Sequence, residues 1–217
     1  MELIDLTLEL KDGSLSYPGT ESGLRMESVP FDTPGGTLTT LSRFDPHCGT
    51  HLDAPLHFVP DGADVANTPL RLPAIVIVSA TTSPIPVDVL PADLDLQGLA
   101  VLFSTGWSRH AGTPAFFHAY PVLSLPLAEQ LVAARVSLVG LDSPSVDPPG
   151  GAYSAHRCLL SAGIPIVEGL VRLSELADRL NAGARARLAA FPLRVRGLEG
   201  SPVRAVAILN PPHADST

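Results

Sequence analysis

Residues Pro46 to Phe58 read PHCGTHLDAPLHF and carry three of the chain's seven histidines, His47, His51 and His57, with one carboxylate, Asp53. Imidazole and carboxylate are the usual ligands of zinc and similar first-row metals. A helix would stack His47 and His51 on one face, but Pro46, Gly49 and Pro55 argue against a continuous helix. In an extended chain, His51 and Asp53 point to the same side about 6.6 Å apart, a spacing that suits two ligands of one ion. His47 would then lie roughly 13 Å from His51, too far to share it. The chain must therefore turn between them, at Cys48-Gly49-Thr50, where Gly49 gives the needed freedom. The reading is a bend followed by a short extended run with His51, Asp53 and His57 on one face. His57, four residues past Asp53, is expected beside the metal rather than on it.

The rest of the composition limits what such a site serves. A chain of 217 residues with 45% hydrophobic and 17% charged residues builds one core-rich domain. Its net charge of −8, with no basic run, makes nucleic acid and anionic membrane poor partners. No apolar run is long enough to span a bilayer, and the acidic start MELIDLTLEL does not read as a signal peptide. Cys48 and Cys158 are expected as reduced thiols in a cytoplasmic protein. The 22 prolines, spread along the chain, predict stiff loops between short elements.

In chain order, Leu3 to Leu8 alternates as a half-buried strand, and SYPGT, Ser16 to Thr20, is a turn. GGTLTTL, Gly35 to Leu41, reads as a strand feeding the histidine loop. AIVIVSA, Ala74 to Ala80, and GLAVLFST, Gly98 to Thr105, read as buried strands. Val87 to Leu90 reads as a short helix, and Ser108 to Ala119 as loop or short helix. LAEQLVAA, Leu127 to Ala134, has helical spacing with Pro126 near its start, and VSLVGL, Val136 to Leu141, is a strand. The polar run from Asp142 to Pro148 then falls at a strand's C-terminal end, where sites in α/β proteins commonly sit.

Ser154 is the expected N-cap of a short helix, Ala155 to Ala162, closed by Gly163. His156 falls in its first turn, where the helix dipole disfavours imidazolium; a metal needs the neutral ring. Twelve residues later Glu168 ends IPIVEGL, an apolar run expected to deliver a carboxylate into the core. Such a group needs a cation or strong donors as partner, a basic side chain being the simplest. RLSELADRL, Arg172 to Leu180, reads as a helix continuing loosely through AGARARLAA. Phe191 to Val195 and Val203 to Leu209 read as strands joined by a hairpin-like turn at GLEGSP. The expected domain spans residues 1–209, with a flexible tail at 210–217 that includes His213.

HCGTHLDAPLH resembles the H-x-G-T-H-x-D-x-P-x-H motif of the metal-dependent cyclase family, which includes bacterial kynurenine formamidase and isatin hydrolase. The D-x-x-S-x-D-P run at Asp142 to Pro148, the spacing of His156 and Glu168, and the segments PLRVRG and GSPVRAVAI extend the resemblance over nearly the whole chain. It implies an α/β fold whose mixed sheet is partly wrapped into a barrel, a swivelling β/β/α-type single domain; patterning alone supports only mixed α/β.

The resemblance also implies a two-zinc centre. His47, His51 and Asp53 hold one ion and Asp53, His156 and Glu168 the other; a single manganese ion is the variant seen in some relatives. His57 becomes the catalytic acid–base. Tyr17 takes a substrate-binding place, where formamidases carry tryptophan, or is an ordinary aromatic packed beside a turn. The implied partner is a small molecule, N-formyl-L-kynurenine, hydrolysed to L-kynurenine and formate by a homodimer or larger homo-oligomer. Tyr17, and Thr20 where many formamidases have an acidic residue, depart from the formamidase pattern and keep isatin-like cyclic amides or lactones open as substrates. A non-catalytic metal-binding protein is the reading from another class; His57, which binding alone does not require, favours an enzyme.

Overall fold

The structure, a computed structural model, describes residues 1–17, 23–29, 35–91 and 93–210. Residues 18–20 of the SYPGT turn and the tail from 211, with His213, lie outside the described residues. Ten strands are described in chain order: β1 (Glu2–Asp5), β2 (Leu24–Val29), β3 (Leu38–Phe44), β4 (His51–Asp53), β5 (Ile75–Ser79), β6 (Ala100–Ser104), β7 (Leu138–Leu141), β8 (Ile166–Glu168), β9 (Arg185–Pro192) and β10 (Gly200–Asn210). Three α-helices join them: α1 (Leu125–Ala133), α2 (Ser154–Ser161) and α3 (Leu173–Asn181).

One mixed sheet runs β1-β10-β4-β8-β7-β6-β5, with β9 also on β10. Strands β5 to β8 are parallel, while β4 pairs antiparallel with β8 and β10. The sheet curls far enough for β9 to reach the start of β5: Ala74 bridges Arg187, and Leu188 N–H donates to Pro73 O at 2.9 Å. This is the expected mixed α/β domain with a partly wrapped sheet. β2 and β3 form a separate two-stranded hairpin.

The period of two in the strands sends side chains to two cores. Val101, Phe103, Val139 and Leu141 pack with Leu127 and Leu131 of α1 and Leu159 of α2. Ala100, Leu102 and Leu138 face the other way, onto Leu173 and Leu176 of α3 and the inner side of β9 and β10. Leu52 and Val167, central residues of β4 and β8, belong to that second core, so their neighbours His51, Asp53 and Glu168 face the opposite side.

Three expectations need correction. AGARARLAA does not continue the preceding helix. Gly183, at φ +90°, ends it, its N–H bonded to Leu180 O, and ARARLAAF then alternates with Ala186, Leu188 and Ala190 buried. Ser154 does not cap α2: the N-cap position falls on Tyr153, which makes no side-chain cap bond. His57 does not continue the extended run, because Pro55 starts a 3-10 turn, Pro55–His57. Smaller shifts occur at element ends. β1 is shorter than Leu3 to Leu8, Asn210 is the last residue of β10 rather than tail, and Cys48 and Cys158 are free thiols.

Candidate metal centre

The antiparallel register sets His51 opposite Glu168, and Asp53 follows two residues on along the same face of β4. The loop before β4 turns at Gly49, φ +70°. It returns His47 to the cluster, its Nδ1 3.0 Å from Asp53 Oδ1. Gly200, opposite Asp53 in β10, makes room: a Cβ there would lie 2.7 Å from the His47 ring. From α2, His156 Nε2 reaches Asp53 Oδ2 at 3.4 Å and Glu168 Oε1 at 3.3 Å, and His51 Nε2 lies 3.5 Å from Glu168 Oε2. The five residues expected as ligands thus come together from β4, its preceding loop, α2 and β8.

Each imidazole is held by one nitrogen. His51 Nδ1 faces Gly49 O at 2.9 Å, His156 Nδ1 faces Asp147 Oδ2 at 2.8 Å, and His47 Nε2 faces Glu199 Oε1 at 3.3 Å. Donating from those nitrogens, the neutral rings would turn the lone pairs of His51 Nε2, His156 Nε2 and His47 Nδ1 toward Asp53, as a bound cation requires. His51 Nε2 and both Asp53 oxygens are buried with no hydrogen-bond partner. Buried polar atoms are rarely left so, and these converge on one space. His47, His51 and Asp53 each offer a ligand atom within 4.8 Å of the others. A second trio, Asp53, His57 and His156, shares Asp53. The donor set fits a divalent cation, and His57 stands where geometry also permits a ligand.

Charge points the same way. Burial opposes a charged His47, but Asp53 and Glu199 outweigh it and lift its pKa to about 10. Burial likewise opposes charge on His156, yet hydrogen bonds to Asp147, Asp53 and Glu168 raise it well above the ordinary value. Burial works against ionised Asp53, but the charge of His47 and contact with His156 hold its carboxyl well below the usual range. Two buried carboxylates demand positive charge nearby, which either imidazolium protons or a divalent ion supplies. His57 behaves differently. Burial, only partly offset by Asp53, keeps its pKa below the ordinary value, so the ring is neutral and able to accept a proton. It stacks on His47 with ring centres 4.4 Å apart.

Sequence reasoning passed over two supporting carboxylates. Asp147 lies in the D-x-x-S-x-D-P run already singled out, and it does the work expected of Ser154. Its carboxylate accepts the Ala155 and His156 N–H groups at 3.1 and 2.8 Å while fixing the His156 ring. Glu199, in the loop before β10, carries no local signal. Asp142 of the same run is structural: it accepts N–H groups of Thr105 and Trp107 beyond β6.

A cavity of about 610 Å³ opens over the cluster, walled by Tyr17, Phe58, Phe116, Phe117 and Tyr153. Tyr120 O–H donates to Asp147 O at 2.9 Å, so in the 2.7 Å contact between the two phenols Tyr17 is the donor. Tyr17 therefore sits in the cavity wall, tied to the segment that positions His156. His110 and His118 are not among the residues lining the cavity.

A curled mixed sheet with an imidazole–carboxylate cluster at the C-terminal ends of its parallel strands defines a class of metal-dependent hydrolase folds. Residues 4–148 match the model of a family described as putative cyclase, and the chain belongs to that family. It is 37% identical over 165 residues to a kynurenine formamidase of Geobacillus thermodenitrificans, covering 73% of this chain and 74% of that one. A kynurenine formamidase of Bacillus cytotoxicus is 31% identical over 209 residues, covering 94% and 96%. Among solved structures, a potential metal-dependent hydrolase with cyclase activity superposes with a TM-score of 0.75 at 27% identity, over 95% of this chain and 96% of that one. An isatin hydrolase bound to thioisatinate superposes at 0.78 over 97% and 92%; at 22% identity this likeness shows the fold alone.

Proposed function

We propose that this protein is a metal-dependent hydrolase of an amide bond, an arylformamidase converting N-formyl-L-kynurenine to L-kynurenine and formate. One observation carries the reading: a buried cluster with orphaned ligand atoms lies under an aromatic-walled cavity, in a chain 31–37% identical to kynurenine formamidases. His47, His51 and Asp53 would hold one zinc ion, and Asp53, His156 and Glu168 a second. Nitrogen and carboxylate donors suit zinc, with manganese as the alternative. Bound metal would supply Lewis acidity and lower the pKa of water to about 7.

The chain's own residues do the rest. His57, neutral and beside the cluster, takes a proton from the attacking water and returns it to the leaving amine. The return matters because an amine is a poor leaving group unless protonated. Gly49 O and Asp147 fix the tautomers of His51 and His156, and Glu199 orients His47. Tyr17 and the phenylalanines hold the aryl ring and exclude water.

Protein purified without chelator should contain divalent metal, read by elemental analysis, and should hydrolyse N-formyl-L-kynurenine. Activity should vanish with chelator and return with zinc. Metal-free protein of undiminished activity would overturn the reading. Faster turnover of isatin than of the formamide would favour the cyclic-amide reading.

The assembly is a homodimer or larger homo-oligomer. Met26, Leu38, Leu41 and Phe44 of the β2–β3 hairpin are exposed apolar residues, and an isolated two-stranded hairpin is marginal in water unless covered. Light scattering at micromolar concentration should report at least twice the 22.7 kDa chain mass. A monomer there would count against the assembly.

A further inference from the structure

We propose that Glu9 and Lys11 form the subsite for a zwitterionic amino-acid head group, so that the cavity selects an N-formylated aromatic α-amino acid over a neutral cyclic amide. This rests on the hydrolase reading above and names its substrate class.

The metal cluster and the aromatic wall account for the amide and the ring of such a substrate. The rest of the lining is uncharged at Ala111, Gly112, Pro144 and Ser145 and carries charge in the segment from Leu8 to Leu15. Among the described residues, Lys11 is the one lysine or arginine that lines the cavity, and Glu9 is the one lining carboxylate besides the buried Glu168. Arg25, Arg43 and Arg109 are not part of the lining.

Glu9 and Lys11 stand two residues apart with opposite charge, and both border the cavity. Among the described residues, no ion pair occupies either of them. The segment is anchored on both sides of the pair. Leu8 N–H donates to Thr50 Oγ1 at 2.8 Å, and Thr50 O–H donates to Gly169 O at 2.6 Å, tying the segment to the metal loop and to β8. Beyond the pair, Lys11 N–H donates to Ser14 Oγ and Ser14 N–H to Lys11 O, both at 2.9 Å.

An α-amino acid presents an ammonium and a carboxylate on one carbon, which is the complement of an adjacent carboxylate and ammonium in the wall. Isatin and simple lactones carry neither charge. Charge-assisted hydrogen bonds of this kind are the stronger class, and their contribution appears in binding rather than in the chemical step, because the head group does not react.

The test compares metal-loaded wild type, Glu9→Gln, Lys11→Gln and the double variant on two substrates. One is N-formyl-L-kynurenine; the other is 2′-formamidoacetophenone, the same arylformamide without the amino-acid group. L-kynurenine binding is measured alongside by calorimetry. The wild type should prefer formylkynurenine in kcat/KM. Each single variant should lose about tenfold of that preference, mainly through KM, and should bind L-kynurenine correspondingly more weakly. Equal use of both substrates by the wild type, or unchanged KM and kynurenine binding in the variants, overturns the subsite. If neither formamide is turned over yet the variants lose kynurenine binding, the subsite stands and the reaction reading falls. Both side chains are exposed, so circular dichroism should show the variants folded.

Discussion

Asp53→Ala should abolish bound metal and reduce formamide hydrolysis to background, while the metal-free variant becomes less stable than the metal-free wild type. The first half follows from position. Among the described residues, two of the three trios of candidate ligand atoms include Asp53. The second half follows from burial. Asp53 is 0% exposed, with His47 Nδ1 3.0 Å and His156 Nε2 3.4 Å from its oxygens. Removing one partner of a buried charge cluster strands the others and is strongly destabilising. Thermal melts with and without zinc check both halves. Metal at 100 times Kd stabilises a folded state by about 2.7 kcal/mol, so the wild-type Tm should rise on adding zinc and the variant's should not. A variant that still gains stability from zinc would remove Asp53 from the centre of the site.

His57→Ala should behave in the opposite way. We expect metal content near the wild-type value and a turnover number lower by about 10²–10⁴-fold, the usual contribution of a general acid–base group. The geometry makes the experiment sharp, because His57 also lies within ligand reach of Asp53 and His156. If the variant loses metal as fully as Asp53→Ala, His57 is a ligand and another residue moves the proton. Full activity with metal retained would place the base elsewhere, with Glu168 next in line. Its Oε1 already accepts the Val146 N–H at 2.7 Å, which leaves Oε2 as the oxygen free to take a proton.

The grouping of His47, His51 and Asp53 was legible in the sequence because their geometry is local, whereas His156 and Glu168 joined them only through the resemblance to the family. The turn at Gly49 and the two-residue spacing of His51 and Asp53 follow from strand pitch alone. The failures come from longer range. AGARARLAA is rich in good helix formers, and only the stop at Gly183 and pairing with β10 reveal its alternation as that of a strand. Ser154 had the right residue type for a cap, but Asp147, seven residues earlier, reaches the same N–H groups and holds His156 as well. Glu199 was invisible because nothing near it in sequence relates it to His47. Their contact exists only once β10 lies beside β4. Glu9 and Lys11 lie just past the strand expected at Leu3 to Leu8 and carry no signal there; only the cavity brings them into view.

Strand β10 has a consequence for how the molecule is built. Its first residues pair with β4, with Gly200 opposite Asp53, and its last pair with β1, with Leu209 opposite Glu2. β4 is enclosed between β10 and β8, both remote from it in sequence. Both backbone pairings of β4 therefore close very long loops, and such contacts form slowly. The parallel block β5 to β8 with α1 and α2 can assemble from nearer neighbours. The ligand strand is then trapped when the final strand docks, which makes ion capture a late event in folding rather than its nucleus.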